Sequence, residues 1–479
     1  MPTELLISIA GVAYLCIQLL AFAAAIYALM TTRTSQGAIA WSISLVAMPL
    51  VSLPLYLIFG RGKFEGYIKA RKAVDAALQS TSSKALERNF ANCSVEYHTH
   101  DEKYKALEQL AGGGFTQCNS ASLLINGKAT FDAIFAGIEQ ATQYILIQFF
   151  IVKDDELGRQ LHSRLATKAQ QGVEVYFLYD FIGSHGLPVS YLDSLSAAGV
   201  HVEAFRSSTG HVRRFQINFR NHRKVVVIDG HTAYLGGHNV GDEYLGNHPK
   251  LSPWRDTHVK ICGPAVLDIQ LAFIEDWNWA RQTVPELNWE PSPATSDNMR
   301  ALILSSGPAD DLETCRLFFV HAINSARKRC WIVSPYFVPD ESVVAALQLA
   351  AMRGVDVRVM LPEKPDHRLV YLAAFSYFKE TIDTGVILYR YHAGFLHQKV
   401  MLVDDELAAV GTANLDNRSF RLNFEITAIF ADQQFASDVA QMLTEDFSHC
   451  REVSVFEYEN RSWIFRITVR IVRLLSPVL

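Results

Sequence analysis

Two stretches near the amino terminus carry no charge at all: Leu5 to Met30 and Gly37 to Phe59. Each is longer than the roughly 20 apolar residues that cross a bilayer as a helix. Glu4 is the only charged side chain ahead of the first stretch, so the basic flank of a cleaved secretion signal is missing. The pattern predicts a two-helix transmembrane hairpin over residues 1–60, with spans of about 5–30 and 37–59 and with Pro49 and Pro54 tolerated inside the second. The short connector Thr31 to Gln36 holds one cation, Arg33, whereas Arg61, Lys63, Lys69, Arg71 and Lys72 follow the second span. Lysine and arginine collect on the cytoplasmic side of membranes, so both ends of the hairpin are expected there.

Beyond the hairpin the pattern changes. Residues 61–115 read as a largely polar, helical connector closed by Ala111-Gly112-Gly113-Gly114. Short apolar runs then alternate with helical patterns such as Glu156 to Gln171 and Glu341 to Arg353. Val225-Val226-Val227-Ile228 and Val400-Met401-Leu402-Val403 are apolar at every position, as strands covered on both faces are. This alternation predicts α/β layers. Pro285 to Asp297 reads as a linker, which divides the soluble part into halves at 120–283 and 300–450 with residues 284–299 between them. In the last segment, 451–479, Arg466, Arg470 and Arg473 share one face of a helix and Trp463, Ile467, Ile471 and Leu474 occupy much of the other. Such a helix either lies in a membrane interface or docks on the protein's own core.

Length and composition narrow the classes. At 479 residues, two to four domains are expected. A net charge of −5 gives no case for a general nucleic-acid-binding surface. Seven cysteines at 16, 93, 118, 262, 315, 330 and 450 contain no Cys-x-x-Cys pair, which argues against a disulfide framework and a structural zinc site. A reducing compartment suits them.

One pattern is written twice. His222-x-Lys224 with Asp229 recurs as His397-x-Lys399 with Asp404, and each copy runs on to a small-residue turn ending in Asn239 or Asn414. All four positions repeat at an offset of 175 residues. Flanking strands echo as well: Tyr144 to Phe150 with Cys330 to Tyr336, and Gly172 to Tyr176 with Gly354 to Arg358. Self-similarity over this length marks a duplicated structural unit. Lysine is almost never fully buried unless paired, so placing one twice beside a buried strand calls for a bound anion. Two histidines, each beside a fixed cation, suit a two-step attack on a phosphodiester: one attacks phosphorus and the other moves the proton.

The residues reach a family at this point. Asn218-Phe219-Arg220-Asn221-His222-Arg223-Lys224, Pro335-Tyr336-Phe337-Val338-Pro339-Asp340-Glu341 and Asn414-Leu415-Asp416-Asn417-Arg418-Ser419-Phe420 resemble the phospholipase D superfamily with its double HKD motif, and most closely the bacterial cardiolipin synthases. The likeness implies two phospholipase D-like α/β sandwich halves related by a pseudo-twofold axis, behind the transmembrane hairpin. It implies a multi-pass protein of the bacterial inner membrane that moves a phosphatidyl group between two phosphatidylglycerol molecules, giving cardiolipin and glycerol. It also favours His222 as nucleophile and His397 as acid/base, a choice the near-symmetric motifs do not make by themselves.

Within that scheme the catalytic set is His222, Lys224, Asp229, His397, Lys399 and Asp404. Lys224, Lys399, Asn239 and Asn414 offer donors to the non-bridging phosphate oxygens. Each histidine needs an acceptor to fix its tautomer, and sequence distance assigns Asp256 to His222 and Glu425 to His397. Asp229 and Asp404 sit a strand's length beyond their lysines and are expected to stabilise the motif more than to touch phosphate. Many relatives carry a serine beside the downstream glycine, where this chain has Gly237 and Thr412, which puts a hydroxyl contribution from the first half in doubt. No clustered carboxylates suggest a metal, so chemistry without metal or cofactor is expected. The motifs do not separate this transferase from a membrane phospholipase D hydrolase, or from a phosphatidyltransferase drawing on phosphatidylethanolamine. A non-catalytic membrane scaffold is the rival of another class, and the intact motifs speak against it.

Overall fold

Period-two burial builds both halves. Val225 and Val227 face one core while Val226 and Ile228 face another, and Trp331 and Val333 divide from Ile332 in the same way. The computed structural model describes residues 3–32, 34–60, 64, 66–74, 76, 102–206, 218–295 and 297–479. From one outer edge the first half runs His201–Phe205, Glu174–Asp180, Tyr144–Phe149, Val225–Ile228, Thr232–Gly236, Thr257–Cys262 and Thr116–Ile125. The second half repeats that order outward from its centre: Met299–Ser306, Asn423–Phe430, Leu407–Gly411, Val400–Val403, Arg329–Val333, Asp356–Pro362, Ile387–Tyr391 and Cys450–Glu452. The two meet where Thr116 pairs with Ala301 and Asn119 with Met299, antiparallel. Along that order, strands joined by helical crossovers are parallel and the other neighbours antiparallel, so each half is a mixed sheet.

The helices fall into layers. Val266–Arg281 and Gln433–Ser448 lie in the central core between the inner faces of the two halves. Asn126–Gln140, Glu156–Gln170 and Val189–Ala197 cover the outer face of the first half, and Thr314–Ser325, Glu341–Met352 and Arg368–Ile382 that of the second. The order helix, sheet, helix, sheet, helix leaves both motif strands buried near the middle. Residues 283–295 carry no regular secondary structure, and the strands Thr116–Ile125 and Met299–Ser306 are the central strands of the two halves.

The apolar amino terminus departs from a simple hairpin. Thr3–Thr31 is one helix, ~43 Å long at 1.5 Å per residue. The second apolar stretch is two helices, Ser35–Ala47 and Pro49–Phe59, broken at Met48. Proline bars the residue before it from helical geometry, and Met48 accordingly sits at φ −136°, ψ 59° while Pro49 opens the next helix. Pro54 is carried inside that helix. Ala21, Ala25, Ala28, Leu45 and Tyr56 pack the three helices together, small residues allowing close approach. Leu15, Leu19, Phe22, Ile39, Ile43 and Leu50 stay exposed, as lipid-facing side chains would.

The connector is less polar in role than in composition. Phe64, Tyr67 and Val74 insert into the central core, and the Phe64 amide donates to the Pro308 carbonyl at 3.1 Å. Arg71 pairs with Glu275 and Asp310, so the chain is clamped to the soluble part within a dozen residues of Gly60. Arg33, Arg61, Lys63 and residues 77–101 of the expected connector lie outside the described residues.

Candidate active site

Each His-x-Lys segment reaches across to the other half. Arg220–Asn221 pairs parallel with Asn423 and Phe424, and the His222 amide donates to the Phe424 carbonyl at 2.9 Å. Phe395–Leu396 pairs parallel with Trp254 and Arg255, and the His397 amide donates to the Arg255 carbonyl at 2.8 Å. This exchange brings each imidazole beside the carboxylate of the opposite half. His222 Nδ1 lies 2.9 and 3.0 Å from the Glu425 oxygens, and His397 Nδ1 lies 2.6 Å from Asp256 Oδ2. The assignment of Asp256 to His222 and Glu425 to His397 is therefore corrected: the partners are crossed. Sequence distance had treated each half as self-contained, whereas the ladder hydrogen bonds interlock them.

The carboxylates are ionised, which settles the tautomers. Burial works to raise Glu425, but His222, Lys224 and the Thr412 hydroxyl outweigh it and hold the group below its usual range. Burial likewise opposes Asp256, and His238, His397 and Lys399 overcome it. An ionised oxygen facing each Nδ1 requires Nδ1 to carry the proton, leaving a lone pair on Nε2. Burial pushes His222 down to about 4, with Glu425 opposing and Lys224 assisting, so its ring is neutral near pH 7. Burial also lowers His397, with Lys399 adding to the effect against the pull of Asp256. Phe150 stands edge-on to His222 at 5.1 Å between ring centres, and Trp254 lies 5.3 Å from His397, so apolar rings wall both bases.

The two lysines are buried and donate to the backbone of their own motif. Lys224 Nζ reaches the His222 carbonyl and Lys399 Nζ the His397 carbonyl, each at 2.5 Å. Burial lowers Lys224 to about 7 and Lys399 to about 8; Glu425 opposes the first shift and Asp256 the second, and the proximity of Lys399 depresses Lys224 further. Two amines that repel each other in a closed site are what an anion is needed to satisfy.

The asparagines differ. Asn239 accepts from the Ile151 amide at 3.0 Å and donates to the Tyr244 hydroxyl at 3.1 Å, which leaves one amide hydrogen free of that bond. Asn414 Oδ1 is buried and finds no partner among the described residues. Gly237 and Thr412 also differ for a reason. Thr412 Oγ1 donates to Glu425 at 2.6 Å, whereas a Cβ at Gly237 would lie 2.0 Å from Asp256 Oδ1. The hydroxyl in the second half supports the carboxylate, and the first half gives that space to the carboxylate itself.

Asp229 and Asp404, counted in the catalytic set, stand apart from the imidazoles. Asp229 accepts from the amides of Thr142, Gln143 and Tyr144, each at 2.8 Å. Asp404 accepts from the amides of Arg327, Lys328 and Arg329 at 2.7–3.1 Å. Both adopt left-handed backbone, at φ 51° and 53°, where the motif strand turns back. They tie that turn to the start of the neighbouring strand.

Other supporting residues escaped the sequence reading. Arg223, between His222 and Lys224, is wholly buried against Asp276 at 2.9 Å and donates to the Glu425 carbonyl at 3.2 Å. Asp276 also accepts from Tyr67 at 2.6 Å and Gln148 at 2.8 Å. In the second half Gln398 donates to Asp446 at 2.9 Å and accepts from Thr257 at 2.8 Å, while Arg255 grips Asp446 at 2.7 and 2.8 Å. Asp276 and Asp446 stand among other polar and acidic residues of the helices Val266–Arg281 and Gln433–Ser448, so no distinct sequence signal marked this pair. His238 and His258, with Nδ1 atoms 3.0 Å apart, are buried and lie electrostatically close to Asp256. Ser419 completes the set, donating to Glu425 at 2.9 Å and accepting the Asn414 amide at 3.0 Å.

The family described as "Cardiolipin synthase, PLD-like domain" matches residues 134–249 and 319–450, and "Phospholipase D-nuclease N-terminal" matches 19–61. Cardiolipin synthase A of Pseudomonas putida is 50% identical over 466 residues, covering 97% of both chains. That of Pseudomonas fluorescens is 50% identical over 459 residues, covering 95% of both. Among solved structures, a phosphatidylserine synthase of Haemophilus influenzae superposes with a TM-score of 0.61 at 16% identity, over 79% of this chain and all of that one, a likeness of fold.

Proposed function

Because the chain belongs to the cardiolipin synthase family built on paired phospholipase D-like domains, we propose that it joins two phosphatidylglycerol molecules into cardiolipin through a phosphohistidine formed at the crossed pair. It is a phospholipid phosphatidyltransferase associated with the membrane. The observation that carries the proposal is the reciprocal exchange of carboxylates: each imidazole is held by a carboxylate of the other half, which supports one site shared by both motifs.

In the first step Nε2 of His222 attacks the donor's phosphorus. The bond from phosphorus to the headgroup glycerol breaks, and His397 Nε2, protonated at that moment, gives its proton to the departing oxygen. Free glycerol leaves, and His397 is left neutral. The terminal glycerol hydroxyl of a second phosphatidylglycerol then takes its place, loses its proton to His397 and attacks the same phosphorus. The nitrogen–phosphorus bond breaks, cardiolipin forms and both histidines return to their starting state. One phosphodiester replaces another, so no nucleotide is consumed. Lys224, Lys399 and the asparagine amides hold the non-bridging oxygens, where positioned charge gives most of the rate enhancement. Apolar rings about both bases keep water from competing with the acceptor.

We further place the protein in the inner membrane as a multi-pass protein with its catalytic halves on the cytoplasmic face. The basic residues after the second apolar stretch support that orientation. A product assay on the full chain in phosphatidylglycerol vesicles tests the reaction. Cardiolipin and glycerol in equal amounts are expected, with neither formed by His222→Ala or His397→Ala. Phosphatidic acid without cardiolipin would make it a hydrolase, and cardiolipin formed only when phosphatidylethanolamine is added would change the donor.

A further inference from the structure

The helix Trp463–Arg473 divides its circumference into three. Phe465, Val469 and Val472 pack inward on the helix Arg368–Ile382, with Phe465 edge-on to Phe375 at 5.3 Å. Trp463, Ile464, Ile467, Ile471, Leu474 and Leu475 form an outward stripe, with Trp463 66% and Leu474 78% exposed. Arg466, Arg470 and Arg473 fill the remaining third, and the helix contains no acidic residue. The sequence left a choice between a helix docked on the core and one facing lipid. Separate stripes do the two jobs.

From these contacts we infer that the outward stripe is a second membrane-docking surface, taken up by the interface of a bilayer containing anionic lipid. A soluble protein does not leave six large apolar side chains in one exposed row without an occupant. Three observations favour lipid over a protein partner. The chain already carries a bilayer-length apolar helix, Ile9–Thr31, so the catalytic halves stand beside a membrane. The arginine third borders the apolar third, the arrangement in which an interfacial helix sinks one edge into acyl chains and pairs the next with phosphates. Arg466 and Arg470 line a shallow groove of about 370 Å³ with Tyr458, Trp463 and Ile467, open to solvent and basic at its rim.

The helix is also connected to the catalytic centre. Its following turn, Ser476–Val478, lies against the short helix Asn417–Arg421, where the Arg418 amide donates to the Leu479 carbonyl at 2.9 Å and Arg418 Nη1 to the Val478 carbonyl at 3.2 Å. Ser419, next in that helix, holds both Asn414 and Glu425. Docking of the stripe therefore sets the attitude of the second motif toward the bilayer from which its substrates come. This inference rests on the enzyme's acting at a membrane, and it is independent of which phospholipid is the donor.

The test uses the full chain in phosphatidylcholine vesicles, with and without phosphatidylglycerol, containing acyl-chain-brominated lipid. Tryptophan quenching is compared between the native protein and Trp463→Phe, so that Trp41 in the amino-terminal helices contributes equally to both. The expected result is a quenched component that disappears in Trp463→Phe and grows when anionic lipid is present. The triple variant Ile467→Glu, Ile471→Glu, Leu474→Glu is expected to lose about tenfold in turnover on vesicles while matching the native enzyme in detergent micelles. Identical quenching in native protein and Trp463→Phe would overturn the inference. So would an equal loss in micelles, which would make the stripe structural, or a dimer that the triple variant abolishes, which would seat a second copy on it. Loss of the vesicle effect with quenching intact would overturn the coupling to the site and leave the reaction assignment untouched.

Discussion

Gly237→Ala removes nothing from the site, yet it should cripple the enzyme. The added Cβ would lie 2.0 Å from Asp256 Oδ1 and 2.6 Å from its Cγ, where ordinary contact begins near 3.4 Å. The carboxylate would have to retreat by about 1.4 Å, the difference between those two figures. It has little room: Asp256 is wholly buried, its Oδ1 accepts the Thr257 amide at 2.8 Å, and its backbone carbonyl is held by the Asn126 amide at 2.9 Å. The His397 Nδ1 contact of 2.6 Å would open toward 4 Å, beyond hydrogen-bond reach. His397 would then lose the acceptor that fixes its tautomer. A misplacement of about 1 Å costs about 10²-fold, and loss of an orienting carboxylate up to about 10⁴-fold, or roughly 3–5 kcal/mol in the barrier. The assay is single-turnover cardiolipin formation on saturating phosphatidylglycerol. The expected result is a fall in kcat by two to four orders of magnitude with KM nearly unchanged, because the lysines and asparagines are untouched. Asp256→Asn should fall into the same range. A folded Gly237→Ala protein with native kcat would refute the reasoning.

Other consequences follow from burial and charge. Asp276→Ala strands Arg223 in the core and should cost about 3–5 kcal/mol, seen as a lowered melting temperature in detergent; an unchanged melting temperature would contradict the buried pairing. Asp404→Ala leaves three strand-start amides without their acceptor and should lower stability by about 1–3 kcal/mol while the surviving protein keeps its kcat. A dead but fully stable variant would return Asp404 to the chemistry. Burial lowers both site amines, so their charge is present below their folded values and lost above them. For the free enzyme the acid limb of kcat/KM should lie near 4, where His222 takes up a proton. The alkaline fall should begin as His397, the acid of the first step and held below its ordinary value, loses its proton, and should steepen from about pH 7 to 8 as the lysines lose theirs. A profile flat to pH 10 would show the lysines to be unperturbed.

The legible and illegible parts of this molecule divide on physical grounds. The 175-residue offset fixed which strands are equivalent, because a duplicated unit repeats its buried runs along with its polar residues. Continuous apolar runs at Val225–Ile228 and Val400–Val403 were readable as strands covered on both faces, and they are. The crossed partners were not readable, since Glu425 meets His222 only through parallel pairing of Arg220 with Asn423, a register between halves that no spacing within one half encodes. Met48 failed for a local reason: hydropathy sees an unbroken apolar run, while the ring of Pro49 breaks the helix. Arg223 and Gln398 looked like spacers within the motif, and their burial against Asp276 and Asp446 depends on where the central helices pack.

The most direct test of two imidazoles acting on one phosphorus is to trap the intermediate. The native enzyme, with His222→Ala and His397→Ala beside it, is mixed with phosphatidylglycerol, quenched in alkali within one turnover, digested and searched by mass spectrometry for an acid-labile phosphatidyl adduct. The account predicts the adduct on the peptide carrying His222, and none in His222→Ala. An adduct on any other residue, or cardiolipin made at the native rate by either variant, would contradict it.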